Sequence, residues 1–492
     1  MDCTLCLVDL GGPLYLGTTM KPTLYGDVAD RVLALIEAGT FREGDKLPSI
    51  RTLSGRFEVS VNTVKEAYGL LETQRFLEAR PQSGYYVRRG VPPLPKPAGE
   101  PETRPVLDPR EVGMCRIYGE VTRDGKNRAG ASLAIALPDP GLLPAAKLNE
   151  AFQTTWKTLG RSMTDYVHSP GLALLREQIA QEALQAGQVT SPDDIIITTG
   201  TSEAFTLALL TFCRAGDTVA IETPTYFSFL SLLRELGIRV LEIPTSPEEG
   251  VNLDVLAWAL DTHIVKAFVT IANFNNPLGF RMSDEKKKAL VELCRTKGVP
   301  LIEDDIYGDL PFSGPRPRTC QSFDTEGNVL LISGFSKTLA SGYRVGWAVP
   351  GKWYAQFDKL KSLTSVASPT PTQWAVGRFL ETGGYQRHLR VFRQRLADQV
   401  GAMAEVVART FPEGTRVSRP AGGFVLWVEL PGTSDTTVLY EKALPEGIIF
   451  SPGEIFSASG KFQNALRLSA GSWNEEVARA VARLGRLARE CL

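Results

Sequence analysis

The stretch SGFSKTLASGYRVGW, Ser333 to Trp347, runs an apolar strand into a small-residue loop that carries Lys337 and, seven residues on, Arg344. A lysine held in a tight loop beside a second cation loses proton affinity and can capture an aldehyde as a Schiff base. A planar guanidinium suits a phosphate dianion, which it can bind with two parallel hydrogen bonds. In ITTGTSEAF, Ile197 to Phe205, a strand ends and a helix begins near Thr201. The free N–H groups of that helix start, with the Thr201 and Ser202 hydroxyls, make a phosphate cradle. NFNNPLG (Asn273 to Gly279) and IEDDIYGD (Ile302 to Asp309) each stand at the carboxyl end of an expected strand, where open α/β sheets place their ligands. Asp304 could keep a pyridinium nitrogen protonated there, and Asn276 and Tyr307 could hydrogen-bond a phenolate oxygen. Taken singly, each signal also fits a plain structural role: a surface lysine, a ligand-free strand-Gly-helix turn, an acidic helix cap, a core tyrosine.

Positioning such groups needs a sheet, and buried-strand signals at Ile195–Thr198, Thr218–Ile221, Ala267–Ile271, Pro300–Ile302 and Val329–Ile332 alternate with helical stretches. The alternation predicts an α/β domain with a mostly parallel sheet from about residue 131 onward. Ahead of it, VPPLPKPAGEPETRPVLDPR (Val91 to Arg110) holds seven prolines and no apolar period, so it reads as an extended, semi-rigid spacer.

The N-terminal part has a different pattern. Val28, Val32, Leu35 and Ile36 give helix one an apolar stripe within Thr23–Ala38, with Gly39 placed as a C-cap. Ser49 opens a second helix to Phe57, and Ser60 opens a third with Val64, Ala67, Tyr68 and Leu71 turned inward. The three-residue turn between helices two and three is that of a helix-turn-helix. Phe76 to Arg89 reads as a wing of two strands around Pro81-Gln82-Ser83-Gly84. Lys46 to Arg89 carries eight basic and four acidic residues, a local surplus suited to phosphate contact.

Composition narrows the remaining classes. The 492 residues carry 54 Lys+Arg against 55 Asp+Glu, so affinity for nucleic acid must come from a local face. His168, His263 and His388 are the three histidines and lie far apart, which argues against a His-rich metal site, and no metal is expected. Seven cysteines without a second close pair beside Cys3 and Cys6 suggest reduced thiols and a cytoplasmic setting. No apolar run reaches membrane-spanning length, so no membrane is expected as partner. Residues 1–20 lack a basic secretory n-region and read as an extension ahead of Met20.

Gly44 to Val87 resembles the winged helix-turn-helix of GntR-type bacterial regulators, departing at Val61, where members often carry Arg. That resemblance implies DNA contact by Arg51, Ser60, Asn62, Thr63 and Lys65, with the turn around Gly84 reaching toward a groove. From Leu137-Pro138-Asp139-Pro140 to the C-terminus the chain resembles the fold-type I pyridoxal-phosphate aminotransferases, in the order and spacing of Asn276, Asp304, Tyr307, Lys337 and Arg344. This resemblance implies pyridoxal 5′-phosphate held as an aldimine on Lys337, with Asp304 at the ring nitrogen and Asn276 and Tyr307 at the ring oxygen. It also implies Arg344, Thr201, Ser202 and Ser336 at the phosphate and Tyr226 against the ring face. Tyr166 would serve the neighbouring subunit's phosphate, making a homodimer, and Arg467 in ALRLS would grip a substrate carboxylate.

The two parts in this order are similar to the MocR (GabR-like) regulators. The expected organisation is an extension (1–20), a winged helix-turn-helix domain (21–90), a Pro-rich linker (91–130) and an aminotransferase-like domain (131–492). The latter divides into a large subdomain (about 168–350) and a small one (about 351–492 plus 131–167). The implied function is a regulator that binds double-stranded operator DNA as a dimer and senses an amino-acid-like effector at Lys337. A working aminotransferase with an accessory DNA-binding domain is the alternative, and a winged helix used only for subunit association is a third.

Overall fold

The computed structural model describes residues 24–491 apart from 74–75, 81–82, 89–93, 98–106, 114–116, 118, 122 and 124–130. The N-terminal extension, much of the spacer, and Pro81 and Gln82 of the expected wing turn lie outside the described residues.

The N-terminal domain begins with α1 (Leu24–Glu37), α2 (Ile50–Phe57) and α3 (Val61–Thr73). Both N-caps are serine hydroxyls: Ser49 Oγ accepts the Thr52 N–H at 3.2 Å and Ser60 Oγ accepts the Thr63 N–H at 3.0 Å. Glu58 ends α2 in the left-handed region, at φ 55°, which sharpens the turn into α3. Val28, Val32, Leu53, Val64, Tyr68 and Leu71 form a separate small core. Tyr68 is fully buried there and donates its hydroxyl to the Pro48 carbonyl at 2.8 Å. The wing is β1 (Leu77–Arg80) paired antiparallel with β2 (Gly84–Val87).

Part of the expected spacer is docked instead of free. Pro95 O accepts the Val417 N–H at 2.9 Å, Lys96 pairs with Glu248 at 3.2 Å, and Arg110 bridges Val240. Residues 117, 119–121 and 123 are helical, and Ile117 and Val121 are buried. The stretch expected as linker over 91–130 thus includes a helical part, whose i, i+4 apolar pair Ile117 and Val121 seats it in the core.

Short β3 (Ala131–Ser132) leads into the large sheet, made of β4 (Ile196–Thr198), β5 (Thr218–Thr223), β6 (Arg239–Ser246), β7 (Gly250–Val251), β8 (Phe268–Thr270), β9 (Leu301–Asp304), β10 (Val329–Gly334) and β11 (Gly346–Val349). Their spatial order is β4-β11-β10-β9-β8-β5-β6-β7, parallel except for β11 and β7. Alternate side chains enter two cores: Ile197, Leu301 and Leu331 on one face, Ile196, Ile302 and Leu330 on the other. A second sheet, β12 (Arg416–Val417), β13 (Val425–Glu429), β15 (Ser451–Pro452) and β16 (Ala465–Ser469), forms the smaller layer, and β14 (Ile448–Ile449) pairs with β3. Among the described residues no helix is long and apolar enough to cross a membrane.

Candidate functional site

Five parallel strands of the large sheet release their chains on the same side. β4 ends at Thr198, β5 at Thr223, β8 at Thr270, β9 at Asp304 and β10 at Gly334. The segments that follow bring Thr201, Ser202, Tyr226, Asn276, Asp304, Tyr307, Ser336, Lys337 and Arg344 to the wall of one cavity of about 370 Å³. Nine of the eleven residues expected at the cofactor and substrate therefore converge, from segments up to 143 positions apart (344 minus 201).

The phosphate end is built on backbone. Gly200, at φ 79°, is the N-cap of the helix Thr201–Phe212 and offers no side chain to its first-turn N–H groups. A Cβ at Gly200 would run into the Arg344 guanidinium, so only glycine leaves that cation room against the helix start. Arg344, itself at φ 54°, donates to the Thr199 carbonyl at 3.2 Å and to Ser336 Oγ at 3.3 Å. A cation, a hydroxyl and a helix N-terminus thus face the same space, a constellation that fits a phosphate dianion.

At the other end of the cavity Asp304 is buried, and its Oδ1 accepts the Ile306 N–H at 3.0 Å. Burial, with Asp305 adding to it, raises this carboxyl to about 7 against the pull of that hydrogen bond and of Lys337. Such a group favours a cationic partner. Burial likewise lowers Lys337 to about 8, helped by the Arg467 and Arg344 cations and opposed by Asp304. Its Nζ donates to the Ala136 carbonyl at 2.7 Å. A lysine near 8 keeps a usable fraction of neutral amine, as carbonyl capture requires. The residues present fit pyridoxal 5′-phosphate at both its charged ends and at its aldehyde.

Two expected site residues lie apart from the cavity wall. Arg467 is fully buried behind it, donating to Asn276 Oδ1 at 3.2 Å, to Ser451 Oγ at 3.0 Å and to the Ala134 carbonyl, while its Nε has no partner. Burial lowers it to about 10. Tyr166 is 74% exposed and meets the His168 ring at 5.7 Å. On the N-terminal domain, Arg51, Ser60, Asn62, Lys65 and Gly84 are exposed and Thr63 is half-buried. The Ser60 hydroxyl caps α3 as expected and also contacts Thr63 Oγ1 at 2.8 Å.

Sequence reading missed the support beneath the cradle. Glu203 Oε2 accepts the Thr199 N–H at 2.5 Å and pairs with buried Lys361 at 2.8 Å, and Lys361 also donates to Ser368 Oγ at 2.9 Å. Burial alone would raise Glu203, but its hydrogen bonds from Lys361, Ser365 and Thr199 hold it below the usual range. An acidic residue in the first turn of the helix was the one local signal; its partner lies 158 positions away.

Comparison with known proteins agrees with both halves. Residues 137–484 match the family "Aminotransferase class I and II", and residues 24–87 match "Bacterial regulatory proteins, gntR family". The HTH-type transcriptional regulator YjiR of Escherichia coli is 38% identical over 91% of this chain and 94% of its own length. The chain belongs to the GntR-type regulators that carry a class I and II aminotransferase domain, the MocR-like group. A second such regulator, YdcR of Escherichia coli, is 34% identical over 95% of this chain and 99% of its own. The 2-aminoadipate transaminase of Thermus thermophilus is 31% identical over 72% of this chain and 89% of its own. Among solved structures, Thermus thermophilus LysN, an alpha-aminoadipate aminotransferase, superposes with a TM-score of 0.71 at 29% identity, covering 77% of this chain and 96% of LysN. Pyridoxal 5′-phosphate is the cofactor that this MocR-like architecture implies.

Proposed function

We propose that this regulator binds operator DNA as a dimer and senses an amino-acid-like effector by amine exchange at Lys337. One observation carries the reading: Lys337, Asp304, Arg344 and the Thr201 helix start share a single cavity in a chain whose other end presents an exposed helix-turn-helix. When bound, the cofactor supplies an aldehyde for amines to capture and a ring that accepts electron density. Arg344, Ser336 and the N–H groups at Thr201 and Ser202 would hold its phosphate. The Asp304 carboxylate would hold a proton at the ring nitrogen, while Tyr307 and Asn276 would bond the ring oxygen. Tyr226 would cover the ring face and exclude water. Lys337, once displaced by the effector amine, would accept a proton at Nζ.

Arg467 would take an effector carboxylate, with its unpartnered Nε as a free donor. Tyr166, exposed on one protomer, would reach the phosphate of the other, which makes the dimer part of the site. On DNA, Lys65 and Arg51 would meet phosphate, while Asn62 and Thr63 at the start of α3 would meet bases.

A ligand moves the protein between two states only through differential affinity for them. The effector should therefore change the DNA footprint of the wild-type dimer and leave that of Lys337→Ala unchanged. An effector response that survives in Lys337→Ala would reject the sensing mechanism. The presence of nine of the eleven expected groups in the cavity, Lys337 among them, with a transaminase among the relatives, favours a second reading as a working aminotransferase. Sustained keto-acid production over many turnovers per site would decide for it.

A further inference from the structure

The long helix Gly384–Thr410 touches the lysine loop at one end and the DNA reader at the other. In its first turns, Tyr385 Oη lies 2.9 Å from Thr338 Oγ1 and 2.7 Å from Asp309 Oδ2. His388 Nε2 lies 2.7 Å from the Thr338 carbonyl. A carbonyl can only accept, so His388 carries its proton on Nε2. Thr338 is thus gripped at side chain and backbone, and it is the residue after Lys337. Both clamping groups are themselves fixed: Tyr385 is 1% exposed and the His388 ring stacks on Phe392 at 5.1 Å.

Toward the far end, Glu405 pairs with Arg88 at 3.0 Å, and the helix packs against α3. Arg88 directly follows β2 and donates its N–H to the Phe76 carbonyl at 2.9 Å, across the base of the wing. His388 and Glu405 are 17 positions apart (405 minus 388), a rise of roughly 26 Å. Between them the inward face, with Leu389, Phe392, Leu396, Val400 and Met403, is buried. A helix so packed moves as a rod, because interiors at this density shift between arrangements without compressing.

We propose that this helix is the mechanical link from sensor to reader, with Tyr385 and His388 as positioning residues for the Lys337 loop and Glu405 as the coupling residue to the wing. The inference rests on the reading of Lys337 as the cofactor-binding lysine. A change in how that lysine is held alters the Thr338 backbone, the clamp passes it to the rod, and the Glu405–Arg88 pair delivers it to the wing.

Hydrogen–deuterium exchange on the full-length protein, with and without pyridoxal 5′-phosphate, tests this without knowledge of operator or effector. In the wild type the cofactor should slow exchange in the Lys337 loop, in the helix and in the wing strands, by roughly two- to fivefold in the wing, the range that one part-exposed ion pair sustains. Glu405→Ala should keep the cofactor's visible band and the loop response but lose the wing response. His388→Phe should weaken both responses, and His388→Gln, whose amide N–H can replace Nε2, should restore them. Bound cofactor with unchanged wing exchange in the wild type, or a full wing response in Glu405→Ala, would overturn the link alone. Failure of the wild type to bind the cofactor at all would instead remove the sensor reading, and the link with it.

Discussion

Gly200 and Arg344 occupy one another's space: the guanidinium lies where a Cβ on residue 200 would be, and both residues hold left-handed backbone conformations. The cradle therefore depends on a hydrogen atom as much as on a charge. Gly200→Ala should push Arg344 off the helix start and weaken cofactor binding about 10- to 100-fold, the loss of a charge-assisted contact of ~1.5–3 kcal/mol. Titration of the cofactor's visible absorbance against protein measures this directly.

Asp304 should have opposite effects on the stability of the cofactor-free and the cofactor-loaded protein. Without cofactor, a carboxyl raised from 3.8 to about 7 binds a proton more tightly folded than unfolded. The resulting penalty is absent below about pH 4, grows as pH rises to 7, and reaches ~4 kcal/mol above it. Asp304→Asn should thus stabilise the cofactor-free protein at pH 8, with the difference vanishing near pH 4 in urea denaturation. In the loaded protein the same substitution should be harmful, since a cationic ring nitrogen would lose its counter-charge.

Lys337, lowered to about 8, sets the rate at which the cofactor is captured. The neutral amine grows ~tenfold per pH unit below that value and saturates above it. Stopped-flow attachment of pyridoxal 5′-phosphate should follow this curve, with the plateau reached at a clearly lower pH than for an ordinary lysine at 10.5.

The Glu203–Lys361 pair beneath the cradle should resist piecemeal change. Lys361→Met leaves a largely buried carboxylate without its cation and should cost ~3 kcal/mol, whereas Lys361→Met combined with Glu203→Gln should recover most of that loss. Chemical denaturation of the three variants gives the comparison.

These residues also show what was legible in the chain beforehand. The N-caps Ser49 and Ser60, the strand ends carrying Asp304 and Lys337, and the Thr201 helix start are local patterns, so their types and spacings could be read directly. Strand β6 was not seen as a strand, because it is buried on both faces yet includes Glu242 and Thr245. Its glutamate is satisfied by the Ala458 N–H at 2.7 Å and Ser457 Oγ at 2.8 Å, more than 200 positions away. The Glu203–Lys361 pair and the Tyr385–Thr338 contact are distant in the same sense, and a pairing across such separations leaves no period to find. The docked part of the spacer escaped for a related reason: its partners, Glu248, Val240 and Val417, belong to the domain it was expected to stand off from.

Shared sites across a dimer would show in subunit mixing. Tyr166→Ala and Lys337→Ala homodimers should each bind or retain cofactor poorly, while a mixed population should contain dimers with one native site, combining the lysine of one protomer with the tyrosine of the other. Recovery of covalently held cofactor on mixing, to at most half of the wild-type occupancy in the hybrid, is the expected result.

One amine in this chain is expected to hold the cofactor covalently. Borohydride reduction of the cofactor-loaded, full-length protein followed by peptide mapping should place a pyridoxyl group on Lys337 and on no other lysine, with an effector amine reducing the yield. An untagged Lys337, or a tag distributed over surface lysines, would show that Lys337 is not the cofactor-binding amine.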